Sequence, residues 1–398
     1  MSAQADSRQC VAFAAMTASA AGERWSALAE RWRSERAERL TRRHLDQSDF
    51  DALREAGFLT LVVPEEHGGA WTDRATSARP VCDALRVLGA GDPAVALVAA
   101  MHPSVVSFWL LNPDSALPDW EEQRRAVFAS AAAGEQWGTI TSEPGSGGDI
   151  SRTRSTAAPS EFEPFLLGET YGVSGDKHFG SGSGIADRMV TTAVPDGEDA
   201  PTMFVLDTTD HTWDGTSGMT LTHEWDGVGM AATQSHAMRL DNAPAVRLAF
   251  DGPLSTITAG AGAFVSTTFT AVIVGVLDEA LATAKRQVGG RADQLRPYEQ
   301  VEWTRAANGH WLAEQAYDGA LRAMERDDPR ALWAALNAKE AVAELAESVL
   351  SRLARVVGGG AYSRRSPFAH WYEDVRALGF LRPPWGLAYD TLFALSLE

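Results

Sequence analysis

Cysteine is nearly absent from this chain: Cys10 and Cys82 are the only two in 398 residues. They stand in no redox or metal-ligand spacing, so neither a disulfide framework nor a metal site is expected. Basic residues are the second shortage. Lys and Arg number 35 against 53 Asp and Glu, a formal net charge of −18. Nucleic acid and anionic membrane surfaces both bind through basic patches, so neither is an expected partner. Long apolar runs are the third. None reaches spanning length to the eye, and the polar start MSAQADSRQ is unlike a signal peptide. A cytoplasmic protein acting on a small molecule is the expectation.

What the chain does have is size and apolar content, 45% hydrophobic residues, enough for two to three intimately packed domains. Residues 11–46 space Ala, Trp and Leu helically among Arg and Glu. The basic stretch 33–43 reads as a solvated helix face carrying i,i+4 ion pairs. Residues 77–98 read as a helix, a break at 89–93 and a second helix running into AAMHPSVVSFWL. His102 is the one acid-base side chain there, either a core histidine or a proton donor, and Pro103 is expected to interrupt the helix. From Trp137 to about Phe250, β-type runs alternate with turn signals at short intervals, the pattern of a small barrel or sandwich. Beyond Thr256 come long alanine-rich helices suited to an antiparallel bundle. The fold class is therefore α+β multidomain. A helical domain spans 1–134, a central β-domain 135–253, and a four-helix-bundle domain 254–398.

Two stretches of the β-region carry candidate chemistry. Residues 139–149, TITSEPGSGGD, run from β-branched residues into a turn with three glycines in four positions. Such a turn lets backbone amides approach a phosphate or a flat polar ring, though a surface hairpin has the same composition. Residues 171–184, YGVSGDKHFGSGSG, repeat that layout about thirty residues on, as if two neighbouring strands lined one site.

SEPGSGGD followed by GDKHFGSGSG resembles the flavin-binding β-domain of the acyl-CoA dehydrogenase superfamily. Three further segments fall in that family's order: GFLTLVVPEEHGG at 57–69, WDGVGMAATQSH at 225–236 and VGGGAYSRRSPFAHWYEDVR at 357–376. The resemblance implies a flavin cofactor, FAD or FMN, and a homotetramer or homodimer built on the C-terminal bundle. By position, Thr141, Ser142, Gly147 and Gly148 would form one flavin-binding turn, and Phe179 and Ser181 the other. Arg286, Gln300, Gly358 and Gly359 match segments that hold the adenine half of FAD across a subunit boundary. Gly148 departs from the family serine that contacts phosphate, and Ala292-Asp293 from its Phe-Gly.

Thioester dehydrogenation needs a carboxylate to take the α-proton. The family's two positions for it carry Arg382 and Val265 here, and Asp390, Asp278 and Glu279 are the nearby acids. A monooxygenase of this fold needs no such base and takes reduced flavin from a separate reductase. His102 and Arg382 are then the candidate catalytic donors toward an oxygen-derived anion, with Phe108, Trp109 and Phe179 as apolar walls. Three readings follow: a flavin-dependent monooxygenase, a thioester dehydrogenase with a relocated base, and a flavin-binding subunit without its own turnover.

Overall fold

The computed structural model describes residues 20–112, 117–381 and 383–397; Cys10, the start of the first expected helix and Arg382 lie outside them. Helices come first: α1 (Ala20–Ser34), the short α2 (Arg36–Arg39), α3 (Gln47–Glu55), α4 (Arg74–Gly91), α5 (Pro93–Leu110) and α6 (Asp119–Ala132). Seven strands follow: β1 (Trp137–Thr139), β2 (Thr156–Pro159), β3 (Thr170–Gly180), β4 (Arg188–Pro195), β5 (Thr202–Asp207), β6 (Met219–His223) and β7 (His236–Arg247). The chain closes with α7 (Leu254–Val288), α8 (Pro297–Glu325), α9 (Ala331–Val357), α10 (Pro367–Gly379) and α11 (Trp385–Ser396).

The strands form a closed ring. Pairing runs β4-β2-β3-β7-β5 and returns from β5 to β4, with β1 added beside β4 and β6 beside β7. The β1–β4 and β2–β4 pairs are parallel, and the others antiparallel. Closure leaves few free edges. The register of β3 against β7 slips between Lys177 and Gly180. That irregularity is where the second candidate turn leaves the barrel wall, and bulges commonly re-aim side chains beside sites.

α7 is apolar all round because it is the core of the helical part, packed by α4, α5, α8 and α9. Its approach to α4 is close: a Cβ on Gly275 would lie 2.0 Å from the carbonyl oxygen of Arg86. By length and composition α5 and α7 would each suit a membrane span, which corrects the impression that no run is long enough. Both are instead mostly buried within the protein, over 78% and 83% of their apolar windows.

Two further expectations are corrected. Pro103 does not break a helix; α5 runs through it from its cap at Asp92, whose carboxylate accepts from Ala94 and Val95. The basic stretch is no solvated face. Arg39 is buried and binds Asp49 at 2.7 Å, Glu35 at 2.7 Å and Asp92 at 3.0 Å, while Arg33 and Arg36 reach across to Glu279 on α7. The network ties the first helices to the bundle, and its i,i+4 pairs (Glu35–Arg39, Glu38–Arg42) are only its outer part.

Candidate active site

The two glycine-rich turns meet. Ser142 bridges to His178, and the His178 amide donates to the Ser142 carbonyl at 2.8 Å. Beneath them lies a buried ion pair. Lys177 Nζ donates to Glu143 Oε1 at 2.6 Å and to the Thr192 carbonyl at 2.6 Å. Glu143 also accepts from Ser155 Oγ at 2.7 Å, the Arg154 amide at 2.7 Å and the Thr153 hydroxyl. Desolvation alone would raise the Glu143 pKa, but Lys177, Ser155 and Thr153 outweigh it and hold the carboxyl at about 2. Burial lowers the Lys177 pKa against the pull of Glu143. With so many donors on the carboxylate, the charged pair is the state the site favours.

Above the pair opens a cavity of about 650 Å³, lined by both turns and by Trp225, Met230 and Ser235. Phe179 stands in it 55% exposed, its backbone at φ 58°, with its ring edge-on to Trp225 at 6.0 Å between centroids. A left-handed aromatic residue is strained, and strain of this kind gathers at sites. The Ser181 hydroxyl meets Ser235 Oγ at 2.8 Å, and a chain of hydroxyls continues through Thr233 to the Met230 carbonyl. The Met230 amide is in turn held by Asp374 Oδ1 at 2.7 Å. Gly145 and Gly147, at φ 80° and 67°, have no atom within 4 Å of a notional Cβ. Their amides have no partner among the described residues, which leaves an open cradle of donors.

A second cavity of about 410 Å³ adjoins the first and shares Met101, Gly148 and Pro384 with it. Its walls come from α5, the first half of α7, the start of α9 and α11, and, on the β-domain side, from the turn after β1 and from Met203 on β5. Gly148 has φ 82°, and a Cβ there would sit 2.6 Å from Pro384 Cγ. The turn-glycine that replaces the family serine is thus where the chain between α10 and α11 leans in. Lys339, buried on α9, holds that segment by donating to the Pro383 carbonyl at 2.7 Å.

Of the expected site residues, the structure brings Thr141, Ser142, Gly147, Gly148, Phe179 and Ser181 around the two cavities. It does not bring Arg286, Gln300, Gly358 and Gly359 there. These four gather at the far end of the bundle, where the turn after α7, the start of α8 and the end of α9 meet. At 1.5 Å per residue, the stretch of α7 from cavity-lining Phe269 to Arg286 spans about 25 Å.

His102 must be withdrawn as a donor. It is fully buried, accepts from the Trp137 amide at Nδ1 (3.2 Å), and pairs Nε2 with the Leu59 carbonyl at 3.0 Å. Burial lowers its pKa to about 4 despite that carbonyl. The ring is therefore a neutral tie between α5, the segment after α3, and β1, and it lines neither cavity. Trp109 is likewise core, between Trp120 and Trp137, whereas Phe108 and Val265 do line the smaller cavity. Asp278 and Glu279 are bound to arginines, and Asp390 is exposed outside both cavities. Arg382 lies outside the described residues, between cavity-lining Leu381 and Pro383.

Sequence reasoning missed Lys177 with Glu143, His178 and Ser235. A glutamate in one of two matched strand-turn segments and a lysine in the other were the available signal for the pair.

Comparison with known proteins agrees with this geometry. Residues 8–135 match the family model "Acyl-CoA dehydrogenase, N-terminal domain". The amino sugar nitrososynthase DnmZ of Streptomyces peucetius is 26% identical over 84% of this chain and 82% of its own. FMN-bound TdsC from Paenibacillus sp. A11-2 superposes with a TM-score of 0.78 at 20% identity, covering 95% of this chain and 97% of that one. Butyryl-CoA dehydrogenase from Megasphaera elsdenii superposes with a TM-score of 0.80 at 18% identity, over 96% and 99%. Residues 8–135 thus match an acyl-CoA dehydrogenase N-terminal domain, and the helical, β-barrel and bundle parts follow in the order of the acyl-CoA dehydrogenase fold.

Proposed function

We propose that the protein is a flavin-dependent monooxygenase acting on a small organic substrate with reduced flavin and O2. The observation that carries this is the lack of a free base. Among the described residues, only Glu143 and Asp149 bring carboxylates to the cavities. Glu143 is saturated with donors, and Asp149 Oδ1 accepts from the Ser151 amide and hydroxyl. Val265, at the alternative base position, is apolar.

The larger cavity suits a flavin. Its glycine cradle offers amides to a phosphate, Phe179 and Trp225 offer an aromatic wall, and Ser142 and Ser181 offer hydroxyls to the ring's polar edge. Bound flavin supplies the electrons that activate O2. The chain's own part is to orient the substrate beside it and to exclude water with apolar walls. TdsC is described with FMN bound, and FMN is the form we favour. Arg286, Gln300, Gly358 and Gly359 lie too far off to hold an adenine half in the same chain. Only a neighbouring subunit could bring them there, so FAD would require the homodimer or homotetramer. Exposed Trp311, Leu312, Tyr389 and Phe393 support such self-association. A separate reductase would deliver the reduced flavin.

The alternative, a thioester dehydrogenase, would have to use Asp149, the one acid facing the smaller cavity. Anaerobic mixing of flavin-loaded protein with a panel of acyl thioesters separates the two. The flavin absorbance should persist, and reduced FMN with labelled O2 should put label into a substrate. Bleaching with enoyl product would overturn the proposal.

A further inference from the structure

The two glycine-rich turns bring four polar side chains to the larger cavity: Ser142, Glu143, His178 and Ser181. Two are already satisfied, Glu143 by Lys177 and Ser155, and Ser181 by Ser235. Ser142 Oγ and the His178 ring make no hydrogen bond among the described residues. They are also neighbours. Ser142 and His178 stand directly opposite each other in an antiparallel bridge, and such pairs send their side chains to the same face. Both are half-buried, and the imidazole meets the Phe179 ring edge-on at 6.0 Å between centroids.

Charge narrows what this pair can do. Among the described residues lining the cavity, His178 is the only one able to carry a positive charge. Lys177, the residue before it, is fully buried and taken up by Glu143. The imidazole donates at least one N–H in either protonation state. Such a donor binds a charged acceptor roughly twice as strongly as a neutral one. Reduction of a flavin gathers negative charge at N1 and the C2 carbonyl, on the polar edge of the ring. In a chain of net charge −18 the background field opposes that charge unless a local donor meets it.

We propose that His178, with Ser142 beside it, meets the N1–C2 edge of the bound ring and makes the site hold reduced flavin more tightly than oxidised flavin. This rests on the flavin reading of the larger cavity and deepens it. A protein that receives reduced flavin from a separate reductase gains by capturing that form and releasing the oxidised one.

Binding and potential test it without turnover. Anaerobic titration of the full chain with FMN and with dithionite-reduced FMN gives the two dissociation constants. Wild type should bind the reduced form at least about tenfold more tightly. His178→Leu should weaken reduced FMN about tenfold and change oxidised FMN less than about threefold. A tenfold fall in that ratio lowers the potential of the bound two-electron couple by about 30 mV, a second reading of the same change. His178→Gln, which restores an N–H, should recover part of the loss, and His178→Phe repeats the deletion with a ring. Equal affinity for the two forms in wild type would overturn the proposal and leave the flavin site standing. So would equal losses of both forms in His178→Leu and His178→Phe, the mark of a phosphate contact or a structural role. A preference that survives both variants but not Arg382→Gln would overturn it too. Failure of wild type to bind either form would remove the flavin reading, and this proposal with it.

Discussion

Replacing Lys177 with methionine tests whether the buried ion pair holds the two turns together. Both side chains are at most 4% exposed, so the variant leaves a carboxylate with no counter-charge and little water. Removing one partner of such a pair typically costs about 3–5 kcal/mol. Glu143 retains hydroxyl and amide donors, which places the expected loss near 3 kcal/mol at pH 7. The pH dependence gives a second reading. The folded pKa of Glu143 is depressed from 4.5 to about 2. Its contribution is therefore complete above pH 4.5 and is lost as pH falls toward 2, about 3 kcal/mol in all at roughly 1.4 kcal/mol per pKa unit. In Lys177→Met the desolvation of Glu143 is no longer offset by the cation, so that acid-side slope should flatten. Urea unfolding midpoints from pH 7 down to pH 3.5 measure both effects, and adding Glu143→Gln should recover more than half of the loss. A variant within 1 kcal/mol of wild type at pH 7, with an unchanged slope, would refute the argument.

Two other outcomes are expected from the same geometry. Gly148→Ala and Gly145→Ala both force alanine into a left-handed backbone, at φ 82° and 80°, but only the first meets Pro384. Both should cost about 1 kcal/mol for the backbone, and Gly148→Ala about 1–2 kcal/mol more, with faster proteolysis between α10 and α11; equal melting temperatures would count against the contact. His102 is buried neutral with its pKa lowered from 6.5 to about 4, so its contribution is whole above pH 6.5 and lost as pH falls toward 4. His102→Gln should flatten stability over that window while leaving oxygenation per folded molecule within a few-fold; loss of turnover with stability unchanged would restore it as a catalytic donor.

The order of helices, barrel and bundle could be read from the sequence because each part announces itself by a different period. Turn residues at short intervals mark the strands from Trp137 to Arg247, and alanine-rich runs without breakers mark α7 to α9. Length and polarity misled in two places. α5 continues through Pro103 because a proline removes only one donor and packing holds the rest of the helix. The arginines after Arg33 turn inward because their partners, Asp49, Asp92 and Glu279, are distant in sequence. No local pattern could have paired them.

The same limit divides the site. The turns at 139–149 and 171–184 were legible because a glycine-rich strand end is a local feature, and the barrel register then brings them together. His102 was misjudged because its two partners, the Leu59 carbonyl and the Trp137 amide, are backbone groups that any residue could supply. The smaller cavity was invisible for a different reason. Its walls come from four separated helices and from the β-domain at Thr139, Thr141, Asp149 and Met203, so no single stretch of sequence announces it. A serine or threonine in the sequence carries both a donor and an acceptor. In α7 and α11 the i−4 carbonyl takes the proton of Thr258 and of Thr391, a pairing that exists only once the helices have formed. Three contacts meet at the same wall: Gly148 admits Pro384, Lys339 holds Pro383, and Met101 lines both chambers. A serine at position 148 would bring its Cβ within 2.6 Å of Pro384 Cγ, so that wall could close only with a shift of the Pro384 segment.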